Sequence, residues 1–210
     1  GARMALAWDA DALLQRVVNE YEIEYVFHLA AQAIVPVANQ SPMSTFDTNI
    51  RGTWTLLEAV RTANSSKLKA VVVASSDKSY GKPLTLPYTE DHPLQGIYPY
   101  DASKACADIL ARCYATTYGL PIVVTRKANI YGGGDMNLSR IIPDAVRSAI
   151  DGKELVVRSD GTPERDFIYV KDAVNGYLLL AEHIDTVKGE AFNFGSGKPI
   201  SVKDLLQKII

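Results

Sequence analysis

No run of apolar residues in the 210-residue chain approaches the roughly 20 that a helix needs to cross a bilayer, which excludes a membrane-spanning helix. Basic blocks are missing too. The 22 Lys and Arg are outnumbered by 24 Asp and Glu, the net charge is −2, and no Lys/Arg-rich patch offers a phosphate backbone its counter-charge, so a nucleic-acid partner is not expected. The start, GARMALAWDADALL, lacks the basic region and apolar core of a secretory signal, and Met4 reads as a natural first residue behind a short leader. Three histidines, scattered at 28, 92 and 183, fit no metal spacing, and no metal site is expected. Only two cysteines are present, Cys106 and Cys113. On a helix they stand two turns apart, roughly 10 Å, too far for a disulfide, so both are read as reduced thiols and the cytoplasm as the compartment.

What is there is an alternation. EYVFHLAA (24–31), LKAVVVASS (68–76) and PIVVTRKANIYG (121–132) are short apolar runs of the kind buried on both faces of a parallel sheet. Between them lie segments with helical spacing: DADALLQRVVNEY (9–21), which sets Leu13, Leu14, Val17 and Val18 on one stripe, a long segment over 41–64, and DASKACADILARCYATTYG (101–119), with Gly119 as its stop. Strand–helix alternation implies right-handed crossovers and a sheet covered on both sides, a doubly wound α/β fold.

After Gly132 the texture changes to a glycine loop, a helix in IIPDAVRSAIDG, two short strands in LVVRSDGTPERDFIYV with a turn at Asp160-Gly161, a helix over 171–184, a strand over 190–197 and a helix start at Ser201. Without repeats or a low-complexity linker, the expectation is a main domain over 1–131 with a smaller lobe over 132–210, of which 164–184 returns to the main domain. Both ends read as cut: the first helix has no strand before it, where a doubly wound sheet would carry its first βαβ and phosphate loop.

The chemistry-bearing residues cluster around YPYDASKAC. Tyr100 and Lys104 are four apart and share a helix face. An ammonium beside a phenol stabilises the phenolate and draws it toward the range of a general base. Ser75 and Ser76 end the second apolar run, which that helix follows across a loop rich in Pro and Tyr, and Asp77 and Lys78 come directly after them.

FHLAAQ (27–32), TNIRGTWTLLEAV (48–60), SSDKSYG (75–81), YPYDASKAC (98–106), RKANIYGGG (126–134) and RDFIYVKDAV (165–174) resemble, in order and spacing, the extended short-chain dehydrogenase/reductases, the NAD-dependent nucleotide-sugar epimerases and dehydratases. The resemblance runs from about residue 9 almost to the end. It implies a Rossmann-like fold, NAD as cofactor, a nucleotide-diphosphate sugar as ligand and a homodimer formed through helices 43–63 and 101–117. It makes Tyr100 the base that takes the sugar hydroxyl proton, Lys104 the residue that holds the nicotinamide ribose, and Ser76 a hydrogen-bond partner of the same sugar oxygen. Ala30, Ala31, Gln32, Asn49 and Ser75 would line the cofactor groove with Tyr100 and Lys104, while Asn129 and Arg165 would contact the nucleotide diphosphate.

Within that family the pair after the Ser/Thr sorts activities. Asp77-Lys78 resembles the pattern of CDP-glucose 4,6-dehydratases, which implies that Lys78 removes the C5 proton while Asp77 protonates the departing C6 hydroxyl. Such a pair needs its proton affinities driven apart, and an ion pair between the two opposes that. The family's glycine-rich fingerprint and its NAD/NADP-selecting residue are not in these 210 residues. Three readings follow: a 4,6-dehydratase, a 4-epimerase of the same family, or a sugar-nucleotide-binding module without redox chemistry.

Overall fold

The computed structural model describes residues 2–63, 66–82, 85–157 and 159–209, with side chains from residue 10 onward. The chain divides into two compact units, residues 1–126 with 176–193, and residues 127–175 with 194–210. The sequence expectation set the boundary at 131 and the returning segment at 164–184.

The first unit is built on a four-stranded sheet in the order β1-β2-β3-β7, with β1 Tyr25–His28, β2 Ala70–Ser76, β3 Ile122–Lys127 and β7 Ala191–Phe194. β1 and β2 run parallel, Tyr25 opposite Ala70 and His28 opposite Val73. β2 and β3 are the buried centre. Val71, Val73, Ile122 and Val124 point to one face, where they meet Leu56, Leu57 and Val60 of α4 (Gly52–Thr62) and Ala111 and Ala115 of α5 (Pro99–Tyr118). Val72 and Val123, on the opposite face by the two-residue alternation of a strand, are fully buried as well. That double burial is why both strands read as unbroken apolar runs.

β1 departs from the expectation. Its residues alternate between exposed and half-buried, with Tyr25 at 43% and Phe27 at 37% exposure, because among the described residues it has β2 on one side only. In α1 (Ala2–Glu20), which packs on α4, Val18 is buried and Leu14 packs against the core, whereas Leu13, expected on the same stripe, is exposed. The helix expected over 41–64 is made of pieces: α2 (Val35–Gln40) precedes it, then α3 (Pro42–Phe46), a π-helical stretch Asp47–Arg51, and α4, while Asn64 lies outside the described residues. Helix α5 starts behind the extended Tyr98 and stops at Gly119, whose φ of 68° is the left-handed cap conformation the sequence anticipated.

In the second unit β4 (Asn129–Tyr131) pairs parallel with β6 (Phe167–Tyr169), and β5 (Glu164–Arg165) pairs antiparallel with β8 (Ile200–Ser201). Helices α6 (Ile141–Asp151) and α9 (Val202–Ile209) pack together. The expected single strand over 121–132 is therefore two, broken at Ala128, whose amide bonds Phe194 O at 2.8 Å while β4 turns to a different sheet. The two strands expected around Asp160-Gly161 both lie after that turn; 153–157 form none, and Arg158 lies outside the described residues. The strand expected over 190–197 ends at Phe194, where the Asp166 carboxylate takes over the backbone by accepting from Ser196 N at 3.0 Å and Gly197 N at 3.1 Å. Helix α7 (Val170–Glu182) runs across the division between the units, and α8 (Ile184–Val187) belongs to the first.

Candidate active site

The carboxyl ends of β1 and β2 and the first turns of α5 meet through a small set of polar side chains, all in the first unit. Lys104 is the pivot. It is buried, its ammonium donates to Ala74 O at 2.7 Å, and its own carbonyl accepts from the Ser75 hydroxyl at 3.2 Å. Both ends of one residue thus tie α5 to the tip of β2. Burial, which disfavours the charged form, lowers the Lys104 ammonium from its ordinary value to about 8. Tyr100 stands one turn earlier on the same helix, about 6 Å along the axis, and is half-buried. The Tyr177 phenol, pushed up to about 12 chiefly by burial, lies within electrostatic reach of Tyr100 and bonds Thr125.

Asn49, in the π-helical stretch and 2% exposed, is a three-way clamp. Its Oδ1 accepts from Gln32 N at 2.7 Å, and its Nδ2 donates to Gln32 O at 3.0 Å and to Ser103 Oγ at 2.8 Å. Ser103 Oγ in turn donates to Tyr100 O at 2.7 Å. The loop leaving β1 (Ala30, Ala31, Gln32) is held to the start of α5 by this one side chain, which leaves a single acceptor lone pair of Asn49 for anything else. Gln32 also closes on Ile34, accepting from its N at 2.6 Å. His28, the last residue of β1, bonds Thr53 Oγ1 at 2.9 Å. Since that hydroxyl spends its proton on Asn49 O at 2.6 Å, Nε2 of His28 is the donor, and the ring is neutral. Burial first and Lys104 second lower His28 to about 4.

Ser76 ends β2 and caps the 3₁₀ turn Asp77–Tyr80 by accepting from Lys78 N at 3.2 Å; its hydroxyl donates to Asp77 Oδ1 at 3.1 Å. Lys78 Nζ pairs with Asp77 Oδ2 at 3.2 Å. The turn packs on α5. Ser75, Ser76, Asp77, Lys78, Tyr100 and Lys104 are therefore brought to one junction, together with the Gln32 loop and Asn49. Asn129 and Arg165 belong to the second unit: Asn129 Nδ2 donates to Asp166 O at 2.9 Å, and the exposed Arg165 donates to Glu164 O at 2.7 Å.

Two features were missed in the sequence. Asp101, one residue past Tyr100, is only 8% exposed and lies in electrostatic reach of both Lys78 and Asp77. Burial holds its carboxyl above the ordinary value, Lys78 pulling it down and Asp77 pushing it up. Its signal was the acid inside YPYDASKAC, at the polar start of the expected helix. The second is a buried network behind the turn. Arg126 grips Asp108 through two bonds of 2.8 and 3.0 Å and donates to Tyr80 Oη and Glu90 O, each at 2.9 Å. Tyr80 donates to Asn193 Oδ1 at 2.7 Å and stacks on Tyr88. Arg126 had read only as part of a strand motif.

This junction at the carboxyl ends of the strands is where ligands bind in open α/β sheets. Residues 3–195 match the NAD dependent epimerase/dehydratase family. The chain belongs to that family. It is 32% identical over 195 residues to a CDP-glucose 4,6-dehydratase of Salmonella typhimurium, covering 87% of this chain and 54% of that protein. It is 30% identical over 211 residues to a UDP-glucose 4-epimerase of Lactobacillus helveticus, covering 93% of this chain and 63% of the relative. A solved dTDP-glucose 4,6-dehydratase from Streptomyces venezuelae, crystallised with NAD, superposes with a TM-score of 0.84 at 30% identity over 95% of this chain and 59% of that one. The chain thus spans between half and two thirds of the length of these relatives. The Rossmann-like α/β architecture expected from the sequence stands, and so does a nucleotide-sugar dehydratase/epimerase lineage that uses NAD.

The residues present fit one half of that cofactor. A buried ammonium with one of its three protons on Ala74 O, one helical turn from Tyr100 and at the strand ends, suits a nicotinamide ribose. The glycine fingerprint that would hold the pyrophosphate is not among these 210 residues.

Proposed function

We propose that this chain carries the catalytic residues of a nucleotide-sugar 4,6-dehydratase. The observation that supports this most is the acid–base pair Asp77-Lys78, seated on a capped turn that packs against the helix bearing Tyr100 and Lys104. NAD, when bound, supplies a hydride acceptor for C4 and, once reduced, a hydride donor for C6.

The chain's own residues do the proton work. Tyr100 takes the proton of the C4 hydroxyl, its phenolate charge balanced by the Lys104 ammonium, and Ser76 hydrogen-bonds the same oxygen. Once C4 is a ketone the C5 proton is acidic. Lys78 accepts it, the C5–H electron pair becomes the C5=C6 bond, the C6–O bond breaks, and the leaving oxygen takes a proton from Asp77 to depart as water. Lys78 then returns its proton to C5 as hydride arrives at C6. Asp77 and Lys78, paired at 3.2 Å, must part for this, which a sugar inserted between them would accomplish. Lys104 holds the ribose of the cofactor, with Ala30, Ala31, Gln32, Asn49 and Ser75 along its groove, and Asn129 and Arg165 contact the diphosphate, Arg165 through the paired donors of its guanidinium. We place the reaction in the cytoplasm and in a homodimer; the exposed apolar side chains of Met43, Trp54 and Ile109, on α3, α4 and α5, are the support for the latter.

Incubation with NAD and CDP-glucose should give a 4-keto-6-deoxy sugar that absorbs in alkali. Recovery of the C4 epimer alone would favour the second reading, a 4-epimerase, in which Asp77 and Lys78 form only the ion pair of a surface turn. A chain that binds the sugar nucleotide but shows no response to NAD in intrinsic fluorescence would be a binding module.

A further inference from the structure

Three segments meet at Asp101. The turn Asp77–Tyr80 packs against the start of α5, where Asp101 lies buried. Segment 95–96 seals the junction from a third side: Gln95 N donates to Ser79 O at 3.0 Å, and Gly96 lies so close to the Asp101 backbone that an added Cβ would stand 2.4 Å from its carbonyl carbon. Gly81, just after the turn, has φ 72° and faces Gln95 O in the same manner, with 2.2 Å to a notional Cβ. The turn is thus clamped between 95–96 and α5, and it carries Lys78, paired with Asp77 at 3.2 Å and within electrostatic reach of Asp101 on the helix. The other charged group near the start of α5, Lys104, is engaged with Ala74 O at 2.7 Å.

We propose that Asp101 is a positioning residue for Lys78, the counter-charge that receives its ammonium when the amine takes a proton from substrate. The inference rests on the dehydratase reading and adds to it. If Asp77 were the only acid near Lys78, the ammonium formed on taking the C5 proton would pair with the carboxylate that must stay free to protonate the leaving oxygen. A second carboxylate, buried on the adjoining helix, relieves that competition. Asp77 can then hold its proton for C6 while Lys78 holds the C5 proton against Asp101.

The test is competitive acetylation of the full chain with acetic anhydride, read peptide by peptide by mass spectrometry across pH 7–10, with the surface residue Lys171 as internal reference. A carboxylate that engages an amine keeps it from the acylating reagent, so Asp101→Asn should raise Lys78 acetylation relative to Lys171 about threefold at pH 8. Asp101→Glu should restore the parent value, which a purely structural role would not. Asp101→Ser serves as a second neutral variant if Asn fails to give the parent's circular dichroism. Lys78 labelling unchanged in folded neutral variants would overturn the proposal. In turnover of CDP-glucose with NAD, Asp101→Asn should lower kcat about tenfold with KM unchanged; a fall in affinity alone would also overturn it. If the parent makes only a C4 epimer, the dehydratase reading fails by that product, while the labelling ratio still decides whether Asp101 faces Lys78.

Discussion

Lys104 donates its ammonium to Ala74 O at 2.7 Å, across the gap between helix α5 and the last residues of strand β2. The same residue's carbonyl accepts from Ser75, so the helix that presents Tyr100 is anchored by the lysine proposed to assist it. Replacement by methionine removes a buried charge and the counter-charge of the phenolate together. Lys104→Met should reduce turnover by at least about 100-fold, the scale on which a positioned acid–base group acts, with the fold intact by circular dichroism. Lys104→Arg, too large for the buried site, should not rescue it.

The pH dependence of stability should carry the mark of His28. Its folded value is about 4 against 6.5 in the unfolded chain, so between those limits the unfolded state binds the extra proton and stability rises with pH. Full stability from this residue is present above pH 6.5 and is lost as pH falls toward 4. Between pH 6.5 and 5 the loss should be about 1.5 kcal/mol. Urea denaturation of the parent and of His28→Gln at both pH values checks it: the variant's curve should lack that component.

Behind the turn, Arg126 and Asp108 are an ion pair with both side chains at 1% exposure or less. Removing one partner strands the other charge, so Arg126→Met should cost about 3–5 kcal/mol in the first unit's stability. Combining it with Asp108→Leu should recover most of that loss. Chemical denaturation of the single and double variants measures both.

Gly81→Ala should destabilise by at least about 1 kcal/mol, since φ 72° disfavours any side chain and the new methyl would meet Gln95 O. Because Gly81 ends the turn that carries Lys78, turnover should fall further than the thermal midpoint suggests.

The proposed dimer predicts a mass near twice the monomer's 22.9 kDa by light scattering. Trp54→Glu, placed on the exposed side of α4, should shift the chain to monomer without lowering its content of helix.

How much of this was legible beforehand follows from range. Strands β2 and β3, read as apolar runs, came out buried on both faces. The turn of Asp77-Lys78 and the helix pair Tyr100/Lys104 were visible because each is a local spacing. Strand β1 carries the same kind of apolar pattern yet lies half exposed, since its burial depends on what stands beside it. The break at Ala128 was hidden for a similar reason: both halves of 121–132 are β-prone, and only the pairing of β4 with β6 separates them.

By itself the sequence determined the alternation of strands and helices, the left-handed stop at Gly119 and the nature of the chemical groups at the strand ends, for these depend on residues within a turn or two of one another. The tertiary structure alone decided that Asn49 would tie Gln32 to Ser103, that Arg126 would brace Tyr80, and that Asp101 would lie buried in α5 against the turn that carries Lys78. Those partners lie 17 to 54 positions apart in the first two cases, and hydrogen bonds and charges at such separation exist only once the crossovers have closed the sheet.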